Sequence, residues 1–336
     1  MKKTILLSYI ALLVAFGLPV LVIERDKPQT PEAVSPTEEV APVQTQSPPS
    51  PPPSQAPEQP APESLMILEG EQWVQTDMQE YLVGVVAAEM PASFDPEALK
   101  AQAVAARSYA IYTGESSKHG KGRVCTDYRC CQAWNSPEQM KEKWGENYDL
   151  YEQKIREAVE ATAGEYLCYQ GEAVFAAFHS SSAGATEDSG QLWAQLPYLV
   201  SVESPETEAD VPNYISSLSL SALDFRDSLL HAHPEADFTG EESTWIGQIS
   251  RDGSGRVETV VLGGVEMKGT ELRSLFNLRS TAFELEYKAG GFVFTVTGYG
   301  HGVGMSQYGA NVMARQGEGY RDILAHYYPG TELAGA

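Results

Sequence analysis

The 336-residue chain is poor in positive charge and in histidine. Lys and Arg number 23 against 46 Asp and Glu, a net charge of −23. That balance argues against a nucleic-acid partner, and against docking on anionic lipid through a basic patch. The six histidines are scattered, and no Ser-His-Asp set can be assigned from them. Walker-type loops, GxSxG elbows and HExxH helices are missing, which removes the sequence signatures of several common enzyme classes. No internal repeat is present.

Long apolar runs are also scarce, and the clearest stands at the start. Residues 4–23, "TILLSYIALLVAFGLPVLVI", follow Lys2 and Lys3 and contain no charge. About 20 helical residues span roughly 30 Å, enough to cross a bilayer. The two lysines predict a cytoplasmic N-terminus and an exported remainder. The run is long for a signal peptide and lacks a clear small-x-small end, so residues 1–25 read as an uncleaved anchor. Residues 26–63 then change character. Twelve of the 21 prolines fall between Pro28 and Pro62, a composition that makes an extended, semi-rigid tether. The folded domain is expected over 64–336, outside the cell membrane and single-pass anchored.

Two charges interrupt its first helical patterns. In "EYLVGVVAAEMP", Asp77 is a good N-cap, and Met78, Leu82, Val85 and Val86 share one stripe. Glu89 continues that stripe instead of the polar face, and Pro91 closes the helix. A second helix opens at "DPEALK", with Asp95 as cap and Pro96 at the first turn. Arg107 projects from its apolar arc. A buried ion pair would explain both residues, at a cost in desolvation. A cleft-lining glutamate would explain Glu89 differently, because an apolar setting raises a carboxyl pKa and suits a general acid.

Further along, residues 113–138 read as a loop, 148–162 as a helix ending at Gly164, and 165–181 as a hairpin turning at Gln170 and Gly171. "PYLVSVES" reads as a strand, and "RVETVVLGGVEM" and "FELEYKAGGFVFTVTG" read as strands around a short helix, "GTELRSLFNL". Without a regular βαβ rhythm, the fold class is α+β.

All four cysteines lie between Cys125 and Cys168. His119, Cys125 and Cys131 offer zinc three ligands in one loop, with a fourth position left to water or another side chain. A disulfide from Cys125 to Cys130 or Cys131 is the alternative outside the membrane. "HSSSAGAT" sets Ser180, Ser181 and Ser182 after an apolar strand. "GYGHGVGMSQYGA" sets His301, Gln307 and Tyr308 around a glycine-rich helix start, whose amides offer donors. Arg107 and these hydroxyl, imidazole, amide and phenol groups are the candidate ligand-binding residues. Glu89 has no evident second carboxylate, although Asp127 or Glu187 could be one.

The blocks "EYLVGVVAAEMPASFDPEALKAQAVAARSYA", "CTDYRCCQAW", "FHSSSAGATED" and "GYGHGVGMSQYGANVMA", in that order, resemble the stage II sporulation protein D family of cell-wall enzymes. The resemblance implies a peptidoglycan lytic transglycosylase whose catalytic glutamate is that of the "AAEMP" motif, here Glu89, and makes Arg107, Ser180, Ser181, Ser182, His301, Gln307 and Tyr308 the candidate sugar-binding residues. Ordinary glycosidases need two carboxylates, and a lytic transglycosylase can work with one. It implies zinc bound by a histidine and two cysteines after the second helix. It also implies work in engulfment during sporulation, on peptide-stripped glycan. The partners it implies are an amidase, stage II sporulation protein P, and a membrane protein, stage II sporulation protein M. Related exported proteins that enhance an amidase without cutting imply the alternative function.

Overall fold

The computed structural model describes residues 62–116 and 119–335. The expected anchor, and the expected tether up to residue 61, lie outside the described residues. Among those described, no helix is long and apolar enough to cross a membrane.

Chain entry is a hairpin, β1 (Ser64–Glu69) and β2 (Gln72–Asp77), leading directly into α1 (Met78–Glu89). Asp77 caps α1 as the sequence predicts, accepting from the amides of Gln79 at 2.8 Å and Glu80 at 3.2 Å. The α2 helix (Pro96–Ser116) starts at the expected proline, with Asp95 accepting from the Glu97 amide. The loop that follows carries β3 (Arg123–Cys125), which pairs parallel with β1. Within it a helix unforeseen in the sequence, α3 (Pro137–Trp144), is set by a capping box between Ser136 and Gln139. The α4 helix (Tyr148–Glu160) lies where the pattern placed it.

β4 (Tyr166–Tyr169) and β5 (Glu172–Ala173) form the expected hairpin, with Gln170 and Gly171 both at positive φ as a primed turn requires. β6 (Phe178–His179) follows. The strand expected at "PYLVSVES" does not form. Its backbone instead makes irregular bonds to 184–189, among them Thr186 N–H to Val202 O and Ser204 N–H to Gly184 O. The segment is extended without a continuous ladder.

A second core occupies the middle of the chain. β7 (Ile215–Ser221), α5 (Ala222–Ala232), β8 (Ile246–Arg251), β9 (Val257–Leu262), β10 (Val265–Lys268), α6 (Gly269–Leu275), β11 (Phe283–Lys288) and β12 (Gly291–Thr297) build it. Their two sheets, ordered β10-β9-β8 and β11-β12-β7, are antiparallel. β12 buries Phe292, Phe294 and Val296 at alternate positions, the period-two pattern of a half-buried strand. Phe225 stacks on Phe292 with centroids 3.9 Å apart, and Trp245 stacks on the same ring at 5.6 Å.

The chain then returns to the first core through β13 (Met305–Ser306), α7 (Gln307–Arg315), α8 (Tyr320–Tyr327) and β14 (Glu332–Ala334). β13 pairs parallel with β6, and β14 closes on β4. The first core packs α1, α2, α4, α7 and α8 around residues such as Leu82, Leu99, Val104 and Ile323, all fully buried. The fold is α+β, as the sequence predicts.

Candidate functional site

A cleft of about 680 Å³ opens where the first helix, the cysteine loop and the glycine-rich loop meet. Glu89 at the end of α1 lines it, with Cys130, Cys131, Gln132 and Ala133 from the loop, Ser180 beyond β6, and His301 and Gln307 from the C-terminal motif. Among the described residues lining the cleft, Glu89 alone carries a carboxyl group.

Local packing explains how Glu89 comes to be there. Gly84 sits in mid-helix, where glycine costs about 1 kcal/mol against alanine. A Cβ at that position would fall 2.2 Å from Trp134 Nε1 and 2.8 Å from Asn135 O. The bare Gly84 therefore lets residues 132–135 lie directly on α1, and Asn135 N–H bonds Gly84 O at 3.1 Å. One turn on, the same contact brings Ala133 N–H to Glu89 Oε1 at 2.9 Å. Burial raises the Glu89 pKa above the ordinary glutamate value. The Ala133 amide, the Gln307 side chain and the Lys143 ammonium pull it partly back, and the net direction is up. Lys143 is itself anchored on Ala87 O at 2.8 Å.

Arg107 is elsewhere. It is fully buried, with Nη1 donating to Thr162 O at 2.8 Å and Glu165 O at 2.7 Å, and Nη2 to Gln79 Oε1 at 3.3 Å. It ties α2 to the turn after α4. Neither the sugar-binding role nor a pair with Glu89 fits that placement, because its guanidinium bonds two backbone carbonyls and the Gln79 side chain and is not among the groups lining the cleft.

The serine run divides. Ser180 faces the cleft, whereas Ser181 and Ser182 are buried beneath it. Ser182 Oγ meets His179 Nε2 at 2.7 Å, and its amide donates to Glu206 Oε1 at 2.6 Å. Glu206 also accepts from Ser204 and Ser306, so one buried carboxylate ties the serine run to the start of α7. Ser181 and Ser182 thus shape the cleft without lining it. Tyr308 packs edge-on against Phe94 with centroids 4.9 Å apart and is not among the lining residues.

His301 lies 5.7 Å from His179, centroid to centroid, and 5.2 Å from Trp193. Burial and the nearby Arg273 push His301 down to about 4, and burial holds His179 well below the imidazole range. Both rings are neutral at neutral pH, so each can act as a hydrogen-bond partner without carrying charge. Of the carboxylates considered as second acids, Asp127 is held by Arg129 through Nε at 3.1 Å and Nη2 at 3.0 Å. Glu187 is buried against Arg256, with Oε2 3.7 Å from Nε. Neither lines the cleft.

His119, Cys125, Cys130 and Cys131 bring one donor atom each within 4.8 Å of one another. None of the four cysteines is in a disulfide. A tetrahedral ion with bonds of about 2.3 Å to sulfur holds its donors roughly 3.8 Å apart. Cys130 Sγ is 3.8 Å from Cys131 Sγ and 3.1 Å from His119 Nε2. The donor set fits such a metal, and Cys130 fills the fourth position that the spacing left open.

The cleft also contains residues the sequence did not single out. Trp193 and Tyr299 are about half exposed, at 46% and 48%, and Tyr128 is 73% exposed, so three aromatic faces are offered to a ligand. Arg273 reaches the cleft from α6 in the second core. Its only signal in the sequence was an arginine on a short amphipathic helix, which ordinarily means a solvated face.

The family model described as stage II sporulation protein matches residues 70–169. Stage II sporulation protein D of Bacillus amyloliquefaciens is 39% identical over 264 residues, covering 77% of this chain and 74% of that protein. Its counterpart in Bacillus subtilis (strain 168) is 38% identical over 266 residues, covering 77% and 75%. An amidase enhancer of the same strain is 29% identical over 303 residues, covering 75% of this chain and 40% of that protein. On this identity across most of its length, the chain belongs to the stage II sporulation protein D family.

Proposed function

We propose that the protein is a lytic transglycosylase of peptidoglycan, with Glu89 as its single acid and base. The observation that carries this reading is the lone carboxyl group in a cleft lined by aromatic rings, hydrogen-bonding side chains and two guanidinium groups. Two-carboxylate hydrolysis needs a second carboxylate as base or nucleophile on the far side of the sugar, and the lining offers no second carboxylate. Glu89, its pKa raised by burial, gives its proton to the oxygen bridging N-acetylmuramic acid and N-acetylglucosamine. The C1–O bond breaks, and positive charge spreads over the muramyl ring and its C1. The glutamate, now ionised, takes the proton of the same sugar's 6-hydroxyl. That oxygen closes on C1 as a 1,6-anhydro ring, and Glu89 is protonated again. No water is consumed. The Ala133 amide and Gln307 help hold the ionised intermediate form of the acid.

Zinc suits the His119, Cys125, Cys130 and Cys131 donors, and its contribution when bound is to fix the loop. That loop supplies Tyr128, Arg129 and Gln132 to the cleft, and Ala133 to Glu89. Kinship with sporulation proteins supports a place in septal wall remodelling during engulfment. The partners would be the amidase and the membrane protein implied by the family, stage II sporulation proteins P and M. The apolar run at residues 4–23 supports membrane anchoring, with the folded domain outside the cytoplasm.

A second reading rests on the amidase enhancer relative: wall binding that stimulates another enzyme. Incubating peptide-free glycan strands with the purified domain separates the two. Shortened strands with the parent protein, and intact strands with Glu89→Gln, support cutting. Intact strands with both, alongside a faster amidase, support the enhancer.

A further inference from the structure

Two guanidinium groups line the cleft, and they differ in what they touch. Arg129 is clamped by the Asp127 carboxylate through two hydrogen bonds. The Arg273 guanidinium has no hydrogen bond or ion pair to any described residue, although the chain carries twice as many acidic as basic side chains. It is half-buried, and burial lowers its pKa because the charged guanidinium is partly cut off from water. The groups close enough to influence its charge include His301, which is neutral, and the exposed Tyr299 ring. A desolvated cation without a counterion is costly to keep, and a bound anion offsets that cost.

The protein places Arg273 firmly. It projects from α6, whose Leu272 is fully buried in the second core, and Leu278 N–H bonds Arg273 O at 2.8 Å. The loop carrying Tyr299 and His301 is fixed to the same element's exit, where Gly300 N–H bonds Arg279 O at 2.9 Å. The guanidinium is thus set beside the glycine-rich loop by a rigid scaffold.

We propose that Arg273 is a specificity residue that binds the lactyl carboxylate of a peptide-free muramyl sugar. This rests on the reading of the cleft as a glycan site. In a strand without stem peptides, each N-acetylmuramic acid carries one free carboxylate on its 3-O-lactyl group. N-acetylglucosamine carries none. Once a stem peptide is attached, that carbon becomes a neutral amide, and the charge moves away down the peptide. A planar guanidinium matches a carboxylate in a two-point hydrogen bond and gains nothing comparable from an amide. The chemistry would therefore set both which sugar sits in this part of the cleft and whether its peptide has been removed.

The experiment measures binding, so it does not depend on cleavage. Peptide-free strands are titrated by calorimetry into the Glu89→Gln protein, which holds them intact. The comparison ligand is the same strand with its lactyl carboxylates converted to methylamides. Charge-assisted hydrogen bonds support a roughly tenfold to hundredfold weaker association for the amidated strand. Adding Arg273→Gln should weaken the carboxylate strand to about the level of the amidated one and leave the amidated one little changed. Arg273→Lys should recover part of the preference, since it restores charge without the planar fork. Equal affinity for the two strands, or equal losses on both in Arg273→Gln, would overturn the proposal, as would no binding of either. If the charge preference appears and the parent protein cuts no strand, the transglycosylase reading fails and the carboxylate site stands.

Discussion

At Glu89, the difficulty of ionising and the aptness for donating a proton have one origin. The carboxyl group sits on the apolar stripe of α1, and burial raises its pKa. A carboxyl whose folded pKa is raised supports stability fully below its unfolded value and loses that support as pH rises through the folded value. Glu89→Gln should therefore melt higher than the parent at neutral pH, with the difference closing as pH falls below about 4.3, the ordinary glutamate value. The same variant should lose about 10²–10⁴-fold in cleavage rate, the usual worth of general acid–base help. A variant that melted lower at neutral pH would contradict the burial argument. Continued turnover at the parent rate would remove the residue from the chemistry. The glutamate was legible in the sequence because a helical period fixes the face of every side chain on a helix. Arg107 shared that logic and went to another place. Periodicity says that a residue points inward, and not whether it meets a cleft or a pair of carbonyls.

The elements around the site depend on one loop and one close approach. The stretch carrying the cysteines reads as irregular in sequence, because its order comes from four donors meeting in space and from Gly84 receiving Trp134. If zinc links those donors, elemental analysis should find about one ion per chain. Chelation, or Cys131→Ser, should then lower both the metal content and the melting temperature. Full thermal stability after complete metal removal would contradict this. Gly84→Ala is the complementary test. Helix propensity alone would reward it by about 1 kcal/mol. The 2.2 Å approach to Trp134 instead predicts a loop pushed off α1, the Ala133 bond to Glu89 weakened, and activity lost even where the helix persists. Cleavage at the parent rate would mean the contact is more tolerant than its geometry implies. The α3 helix and the missing strand at "PYLVSVES" show the complementary limit. Eight residues with a capping box are too short for a clear period, and an apolar run alone does not fix a ladder partner.

Two cores make the molecule, and a polar seam joins them. Glu187 accepts from Ser254 Oγ at 3.1 Å and lies beside Arg256, both from the second core, while its own N–H bonds Gly302 O at 2.8 Å. Burial, and then the neighbouring Asp252, push Glu187 up to about 7. The native state keeps this proton over a range where the unfolded chain has lost it. Stability should thus fall as pH rises from about 4.3 through about 7, and Glu187→Gln should remove that share of the slope. An unchanged slope in a folded Glu187→Gln protein would place the effect elsewhere. The second core was the least legible part of the sequence. Two of its strand segments and the short helix between them were legible, but nothing local announced that α6 delivers Arg273 to a cleft built by the other core.

The central claim is that one carboxyl group cuts glycan without water, and the chemistry of the new ends tests it most directly. Peptide-free strands should be digested in heavy-oxygen water and the products weighed by mass spectrometry. The account predicts 1,6-anhydro-muramyl ends, about 18 Da lighter than hydrolysed ends because the sugar's own hydroxyl replaces water in the acid–base step, with no heavy oxygen incorporated. Reducing ends that carry the heavy oxygen would contradict it and require a second carboxylate acting in the cleft.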